Sequence, residues 1–268
     1  MNCWTEQYLN YLGLEKKEPS YVYLLGLIEA HLQRVPFEVI SKYHYYTSKN
    51  RHDLIPTKEE YLENLLKRGW GGNCYILNIY FGNLLQSLGF EAEYVRARGG
   101  NNHLALMVTV EDKVYYTDVG YMAPLFEPLL IEKEPYLVGC GEEIIIKRKN
   151  NREYLIDRRT GGQSFVTKII EWFPVELEGF REDIIHSHRD EDENPFMRRI
   201  VATIFKDRVS YAVMNSKLII KSNTSIQVKD YEDKNSWLEM METTFNLQKQ
   251  DLEFALNFLE KRSVQLFI

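Results

Sequence analysis

Cys74 is the residue of this sequence whose surroundings best suit a nucleophile. It begins an apolar segment with helical spacing and follows a glycine-rich stretch, residues 69–73, with the sequence GWGGN. The positive end of a helix dipole favours the thiolate form of a cysteine, and glycines let backbone N–H groups approach a reacting carbonyl oxygen. Most cysteines are simply buried packing residues, so the interpretation depends on the glycines. Cys3 and Cys140 have no such surroundings.

A histidine and an aspartate occur where they could activate this thiol. His103 opens the apolar strand HLALMVTV, and the next apolar segment pairs with it as a hairpin if Val110 faces Lys113 across a two-residue turn. Asp118 then lies diagonal to His103 on the same face. A carboxylate on one imidazole nitrogen leaves the other nitrogen free to take a thiol proton. These residue types in this arrangement predict a Cys-His-Asp triad.

Other candidate sites are weaker. His186 and His188, with the acidic residues 190 and 191, could bind a metal ion. Charged residues on both sides favour a solvated loop there, so we predict no metal site. The pair at residues 161–162 is more typical of a tight turn than of a phosphate-binding loop.

The elements that would position the triad change in type along the chain. The first 90 residues have mainly helical periodicity, including residues 21–32 and a helix that opens with the capping-box pattern TKEE at 57–60. From residue 90 to about residue 230, short apolar segments alternate with polar turns, which is typical of strands. Residues 237–259 return to helical spacing. This order favours an α+β fold with a meandering antiparallel sheet or barrel.

Composition narrows the class of protein. The 268 residues carry 33 Lys and Arg against 39 Asp and Glu, a net charge of −6, and 44% of them are hydrophobic. This balance argues against nucleic-acid binding. The absence of a run of about 18 apolar residues argues against a membrane span. Three cysteines without CxxC spacing, and an N-terminus unlike a signal peptide, predict a cytoplasmic protein with reduced thiols.

Several motifs resemble those of the arylamine N-acetyltransferases. The nucleophile motif of that family is similar to GGNCYILN at 71–78, and its histidine and aspartate motifs are similar to HLAL at 103–106 and TDVGY at 117–121. HLQRVPFE at 31–38 resembles a segment near the N-terminus of that family. The resemblance covers essentially the whole chain.

The resemblance implies a fold in three parts around a triad core like that of cysteine proteases. The parts would be an N-terminal helical bundle, a central antiparallel β-barrel and a C-terminal lid made of a sheet and helices. We expect the bundle with the nucleophile at residues 1–90, the barrel with the histidine and aspartate at 91–195, and the lid at 196–268.

The resemblance also implies an activity, ping-pong acetyl transfer from acetyl-CoA to an aromatic amine or hydrazine, as in xenobiotic metabolism. Cys74 would be the nucleophile, His103 the base and Asp118 the residue that orients the base. Phe37 and Tyr121 match positions that line the acceptor pocket of the family, although core packing explains such aromatic residues equally well. The partners expected are coenzyme A and the amine, without metal, nucleic acid or membrane.

Coenzyme A is anionic, so basic or glycine-rich segments near the triad are its candidate contacts. The loop formed by Gly99, Gly100 and Asn101 is the nearest one along the chain, and Arg96 and Arg98 come just before it.

Two positions depart from the family pattern. Trp70 stands where the family usually has an arginine, and Ile76 stands where it usually has a glutamate. Because both members of a charge pair are replaced together, no charge is left buried alone. The loss of this pair leaves open a catalytically silent relative that binds coenzyme A or aromatic compounds. Two other enzymes also stay open: an amide synthase that uses a larger acyl donor, and a cysteine hydrolase of the transglutaminase–papain kind.

Overall fold

The N-terminal part of the chain is helical, as its periodicity predicts. The computed structural model describes residues 4–48 and 54–267, so Cys3 lies outside the described residues. The elements are α1 (Trp4–Leu12), α2 (Tyr21–Arg34), the two-residue strand β1 (Phe37–Glu38), α3 (Ile40–Ser48), α4 (Lys58–Arg68) and α5 (Cys74–Ser87). The capping box is confirmed, because Thr57 and Glu60 each accept a hydrogen bond from the backbone N–H of the other.

A curled antiparallel sheet forms the middle of the fold. Its strands are β2 (Glu91–Arg98), β3 (His103–Val110), β4 (Lys113–Thr117), β5 (Tyr136–Gly139), β6 (Glu142–Asn150), β7 (Glu153–Thr160) and β8 (Gln163–Glu171). They lie in the order β4-β3-β2-β8-β7-β6-β5. Strands β2 to β4 pair as one meander and strands β5 to β8 as another, and the pairing of β2 with β8 joins the two. This sheet is the barrel-like unit expected between the helices and the C-terminal elements.

The β3–β4 hairpin has the predicted register. Val110 faces Lys113 and Leu106 faces Thr117. The two turn residues, Glu111 and Asp112, have φ values of 52° and 58°, as a tight two-residue hairpin turn requires. The register carries Asp118, the residue after β4, toward the first residue of β3.

The C-terminal part contains a second sheet and the closing helices. The elements are α6 (Arg181–Ser187), β9 (Val201–Lys206), β10 (Val209–Met214), β11 (Lys217–Lys221), β12 (Ile226–Asp230), α7 (Lys234–Phe245) and α8 (Lys249–Glu260). The sheet order is β1-β9-β10-β11-β12, so a strand from the N-terminal part completes it. The segment before His188 forms α6 and is not the loop we predicted. The closing helix divides in two because Asn246 takes a left-handed conformation, φ 59°.

The hydrophobic core has two parts. One cluster joins the N-terminal helices to the second sheet and α7, with Leu27, Phe81, Ile204 and Trp237 among its members. The other lies within the curled sheet. The α+β architecture is confirmed, while the three boundaries stay a prediction. Within residues 4–48 and 54–267, no helix combines the length and apolar character that crossing a bilayer requires.

Candidate active site

The glycine-rich stretch is shaped by close contact with the backbone before β1. A Cβ atom on Gly71 would lie 1.9 Å from the carbonyl oxygen of Pro36, and Gly72 has a φ of +106°. The N–H of Glu38 donates to the carbonyl oxygen of Gly72 at 3.0 Å. Only glycine fits both positions without strain, and the loop that precedes the cysteine is thereby attached to β1.

Asn73 caps the helix that the cysteine begins. Its Oδ1 atom accepts hydrogen bonds from the N–H groups of Tyr75 and Ile76 at 3.0 and 3.2 Å, and its carbonyl oxygen accepts from Leu77 at 2.9 Å. Cys74 is the first residue of α5 and its side chain is half-buried. The first N–H of a helix has no carbonyl partner within that helix. The thiol and this N–H therefore share the helix N-terminus.

His103 and Asp118 meet as the hairpin register predicts. The Nε2 atom of His103 lies 2.6 Å from the Oδ2 atom of Asp118, and both side chains are buried. The Cys74 side chain is close enough to His103 to raise the pKa of the imidazole. Because Nε2 is engaged by the carboxylate, Nδ1 is the nitrogen left for the sulfur. The structure thus brings Cys74, His103 and Asp118 into one chain of contacts.

The Asp118 carboxylate accepts three further hydrogen bonds. Oδ2 accepts from the Tyr116 hydroxyl at 2.7 Å, and Oδ1 accepts from Asn78 Nδ2 at 2.9 Å and from the Gly120 N–H at 3.0 Å. Burial by itself raises the pKa of Asp118, but the charge of His103 and the side-chain hydrogen bonds hold that pKa below its ordinary value. The carboxylate therefore stays ionised although it is buried.

The pKa of His103 is shifted in the opposite direction. Burial by itself lowers it, but the negative charges of Asp118 and Cys74, together with hydrogen bonds to both, raise it to about 9. A protonated imidazole between a carboxylate and a sulfur is the arrangement of a thiolate–imidazolium pair.

A cavity of about 230 Å³ opens onto the thiol. Its lining residues come from the helical part, the curled sheet and the segment around α6: Phe37, Val39, Lys42, Asn73, Cys74, Tyr75, Asn101, Asn102, His103, Gly120, Tyr121, Met122, Arg158, Val166, Lys168, Ser187 and Phe196. Phe37 and Tyr121, the two aromatic residues expected in an acceptor pocket, both line this cavity. The Tyr121 ring lies 5.1 Å from the His103 ring, centre to centre.

Arg158 supports the loop that carries Tyr121. Its guanidinium donates to the carbonyl oxygens of Tyr121 and Met122 at 3.0 and 2.9 Å and forms an ion pair with Glu142 at 2.6 Å. Met122 has a φ of 53°. The arginine therefore lines the cavity with its charge already balanced by a carboxylate.

Two lysines in the cavity wall bond to backbone carbonyls. Lys42 is 2% exposed and its Nζ atom donates to the carbonyl oxygen of Ser187 at 2.6 Å. Lys168 donates to the carbonyl oxygens of Gly99, at 2.6 Å, and of Asn101. Burial lowers the pKa of Lys42 to about 7, and the negative charge of Cys74 partly opposes this shift.

The loop expected to contact coenzyme A reaches the cavity only in part. Asn101 lines it, and Gly100 lines a neighbouring cavity of about 330 Å³ that also includes Asn101. Gly99 lines neither of these two cavities. Arg96 forms an ion pair with Asp183 at 2.9 Å and Arg98 one with Glu153 at 2.6 Å. Both arginines are thus already engaged by carboxylates.

Trp70 is buried, and its indole N–H donates a hydrogen bond. Its Nε1 atom donates to the Asp251 carboxylate at 3.0 Å, and Arg68 donates to the same carboxylate at 3.2 Å. The Arg68 guanidinium lies 4.6 Å from the indole centre. Ile76 is buried behind Gly72. The glycine-rich loop is therefore tied to α8 through an aspartate, which the sequence did not indicate.

Sequence reasoning missed several residues around the triad. Asn78 was noticed only as part of a motif, yet it donates to the Leu104 carbonyl at 2.7 Å and accepts from the Val119 N–H at 3.0 Å. Its position four residues after Cys74, on the same helix face, is a signal that could have found it. Lys42, Lys168 and Arg158 gave no comparable signal. In the part of the chain that the structure describes, no group of three or more His, Cys, Asp or Glu side chains could hold a metal ion.

Comparison with known proteins gives consistent matches to one family. A family model described as N-acetyltransferase matches residues 22–253. No curated protein sequence matches significantly. Among solved structures, arylamine N-acetyltransferase of Mycobacterium smegmatis is 18% identical with a TM-score of 0.80, over 97% of this chain and 98% of that one. The Mycobacterium marinum enzyme in complex with CoA is 16% identical, TM-score 0.80, over 98% and 100%.

A third similar structure bears on the triad. It is an arylamine N-acetyltransferase of Bacillus cereus described as having a unique Cys-His-Glu catalytic triad. It is 17% identical to this chain with a TM-score of 0.75, over 92% of this chain and 100% of that one. At these identities the structural matches establish a shared fold.

Proposed function

This chain belongs to the arylamine N-acetyltransferase family, and we propose that it transfers an acetyl group from acetyl-CoA to an aromatic amine or hydrazine through Cys74. Cys74 is the nucleophile, His103 the general base and Asp118 the residue that orients and charges the base. The Mycobacterium marinum relative was solved with CoA, which supports an acyl-CoA as the donor.

In the first half-reaction Cys74 takes the acetyl group. His103 holds the thiol proton, and the thiolate attacks the carbonyl carbon of the acetyl thioester. The N–H of Cys74, at the start of α5, stabilises the oxygen as it becomes negative. The carbon–sulfur bond to coenzyme A breaks, His103 returns its proton to the departing thiolate, and acetyl-Cys74 remains.

In the second half-reaction the amine replaces coenzyme A. Its nitrogen attacks the acetyl-Cys74 carbonyl while His103 takes a proton from that nitrogen. The thioester bond then breaks, the amide leaves and the thiolate–imidazolium pair is restored. Phe37 and Tyr121 contact the aromatic ring in this step, and the loop at Gly99, Gly100 and Asn101 lies toward coenzyme A.

The observation that carries the proposal is the single 230 Å³ cavity that Cys74 and His103 share with Phe37 and Tyr121. Ligand cavities are usually about 300–1,000 Å³, so this one suits a small aromatic amine. The intact contact between His103 and Asp118 at 2.6 Å argues against a catalytically silent relative.

Intact-mass measurement after brief incubation with acetyl-CoA, without amine, tests the proposal. We expect one added acetyl group on the wild type, none on Cys74→Ala, and discharge of the group by an added aromatic amine. Cys140→Ala is the matched control, since Cys140 is buried away from the cavity and burial raises its pKa to about 11. An unmodified wild type that still binds CoA would overturn acetyl transfer and favour the silent relative.

A further inference from the structure

The charges around the cavity carry information about the substrate. Among the described residues that line it, three are lysine or arginine, Lys42, Arg158 and Lys168, and none is Asp or Glu. His103 also lines it, but its charge is paired with Asp118. The chain as a whole has a net charge of −6, so the positive charge of the cavity wall is opposite in sign to the net charge of the chain. From these charges and contacts, we propose that the substrate carries a carboxylate that binds to Lys42 and Lys168. This inference rests on the proposed function, because it concerns the reaction at Cys74.

Lys42 has the environment expected of such a binding group. Its carbonyl partner, Ser187, also accepts a hydrogen bond from Asn194 Nδ2 at 2.8 Å, so the lysine is not needed to satisfy that oxygen. The ammonium group lies 5.6 Å from the centre of the Phe196 ring. Burying an ammonium without an opposite charge is costly. A bound carboxylate would supply that charge.

Lys168 repeats the pattern on the curled sheet. Its partners among the described contacts are the carbonyl oxygens of Gly99 and Asn101. Arg158 differs, because Glu142 balances its charge. Two buried or half-buried lysines therefore face the cavity without a carboxylate partner. Asn73 Nδ2 and the Tyr121 hydroxyl, both on residues that line the cavity, are also buried without a hydrogen-bond partner.

Coenzyme A itself does not explain these lysines. Its phosphates are separated from its sulfur by the whole pantetheine arm. A group that binds beside Cys74 therefore meets the acyl group or the amine and not the phosphates. Two sources of a carboxylate remain: an aromatic amine such as an aminobenzoate, or the acyl group of a dicarboxylic half-thioester such as succinyl-CoA.

The amine arm of the test compares 4-aminobenzoate with 4-aminobenzamide, with acetyl-CoA as donor. We expect the wild type to prefer the carboxylate in kcat/KM. Lys42→Met should reduce the ratio of the two kcat/KM values by about ten- to a hundredfold, the range for a hydrogen bond to a charged group. Lys168→Met should reduce it in the same direction. Lys113→Met, which removes an exposed lysine at the start of β4, is the matched control.

The acyl arm compares the rates at which acetyl-CoA and succinyl-CoA acylate Cys74, measured by intact mass in the same variants. A lysine-dependent preference in either arm supports the proposal and identifies which substrate carries the carboxylate. Equal use of charged and neutral substrates in both arms overturns it. So does a preference that survives both Lys42→Met and Lys168→Met.

A binding measurement keeps this inference separate from the proposed function. Benzoate should slow the alkylation of Cys74 by iodoacetamide more than benzamide does, and Lys42→Met should remove the difference. Protection by benzoate without any acylation would overturn acetyl transfer alone. Acylation with equal effects of benzoate and benzamide would overturn the carboxylate site alone.

Discussion

Asp118 and Lys42 are both buried, charged groups beside Cys74, and their surroundings differ. Asp118 accepts hydrogen bonds from His103, Tyr116, Asn78 and the Gly120 N–H. Lys42 has one carbonyl partner and no carboxylate among the described contacts. We call the first group the aspartate side, made of Asp118 with these four partners, and the second the lysine side, made of Lys42 and Lys168.

The hydrogen bonds of Asp118 hold its carboxylate in one position, whereas the Lys42 ammonium has no bound counter-charge. A buried polar network in which every group is bonded has one geometry, which suits the orientation of a catalytic base. A buried charge without a counter-charge costs stability, and that cost is regained only when an anion binds. On the aspartate side, the hydrogen bonds that orient His103 also stabilise the fold. On the lysine side, the charge that would bind an anion destabilises the fold.

The largest effect is expected from Asp118→Asn. The amide removes the negative charge that raises the pKa of His103 and favours the wrong tautomer of the imidazole. Acetylation of Cys74 should slow by about a thousand- to ten-thousandfold, the scale seen for such a change in other triads. Single-turnover intact-mass kinetics would measure it, with the exposed Asp230→Asn as control. A loss smaller than about tenfold would mean that the carboxylate only packs.

Asn78→Ala should weaken the aspartate side without removing the charge. It takes one donor from Asp118 and leaves the Val119 N–H without its partner, at 3.0 Å in the intact protein. We expect a loss of about 1–3 kcal/mol in the free energy of unfolding, measured by urea denaturation. Asn83→Ala, at a half-buried position of the same helix, should cost much less, and equal losses would contradict the special role of Asn78.

His103 should give the aspartate side a characteristic pH dependence. The folded pKa of about 9 lies above the ordinary value of 6.5, so the folded state holds a proton that the unfolded state releases. This stabilisation is complete below pH 6.5 and is lost as the pH rises through about 9. The gap in unfolding free energy between wild type and His103→Gln should therefore narrow over that range. A constant gap would contradict the raised pKa.

Lys42 should show the opposite sign. Its folded pKa of about 7 lies below the ordinary 10.5, so the buried ammonium destabilises the fold at low pH, and this penalty fades as the pH rises toward 10.5. Lys42→Met should be neutral or stabilising by about 1 kcal/mol at pH 7, and less stabilising as the pH rises from about 7 toward 10.5. Denaturation across pH, beside Lys113→Met, would measure it. A clear loss of stability in Lys42→Met would contradict this prediction and would mean that Lys42 stabilises the fold.

The aspartate side could be predicted from the sequence because it is local. His103 and Asp118 belong to one hairpin, and a two-residue turn between Val110 and Lys113 fixes which side chains share a face. The helix of Cys74 could be predicted from its apolar spacing and from the Asn73 cap. Periodicity and turn chemistry act over a few residues, and these residues lie within that range.

The lysine side could not be predicted because it is assembled from distant segments. Lys42 lies on α3, its partner Ser187 ends α6, and Lys168 lies on β8. The sequence likewise gave no sign that Asp251 would bond Trp70. No short-range pattern tells which of 33 Lys and Arg residues will face a cavity without a carboxylate. Burial and charge balance across segments decide that.

The two-residue strand β1 also has a consequence for the order of synthesis. Phe37 and Glu38 pair with Thr203 and Ala202 of β9, while the Glu38 N–H donates to the carbonyl oxygen of Gly72, two residues before Cys74. A ribosome makes Cys74 long before it makes β9. The nascent chain therefore carries the Cys74 thiol before β9 exists to pair with β1, and the loop before Cys74 gains this support only late in translation.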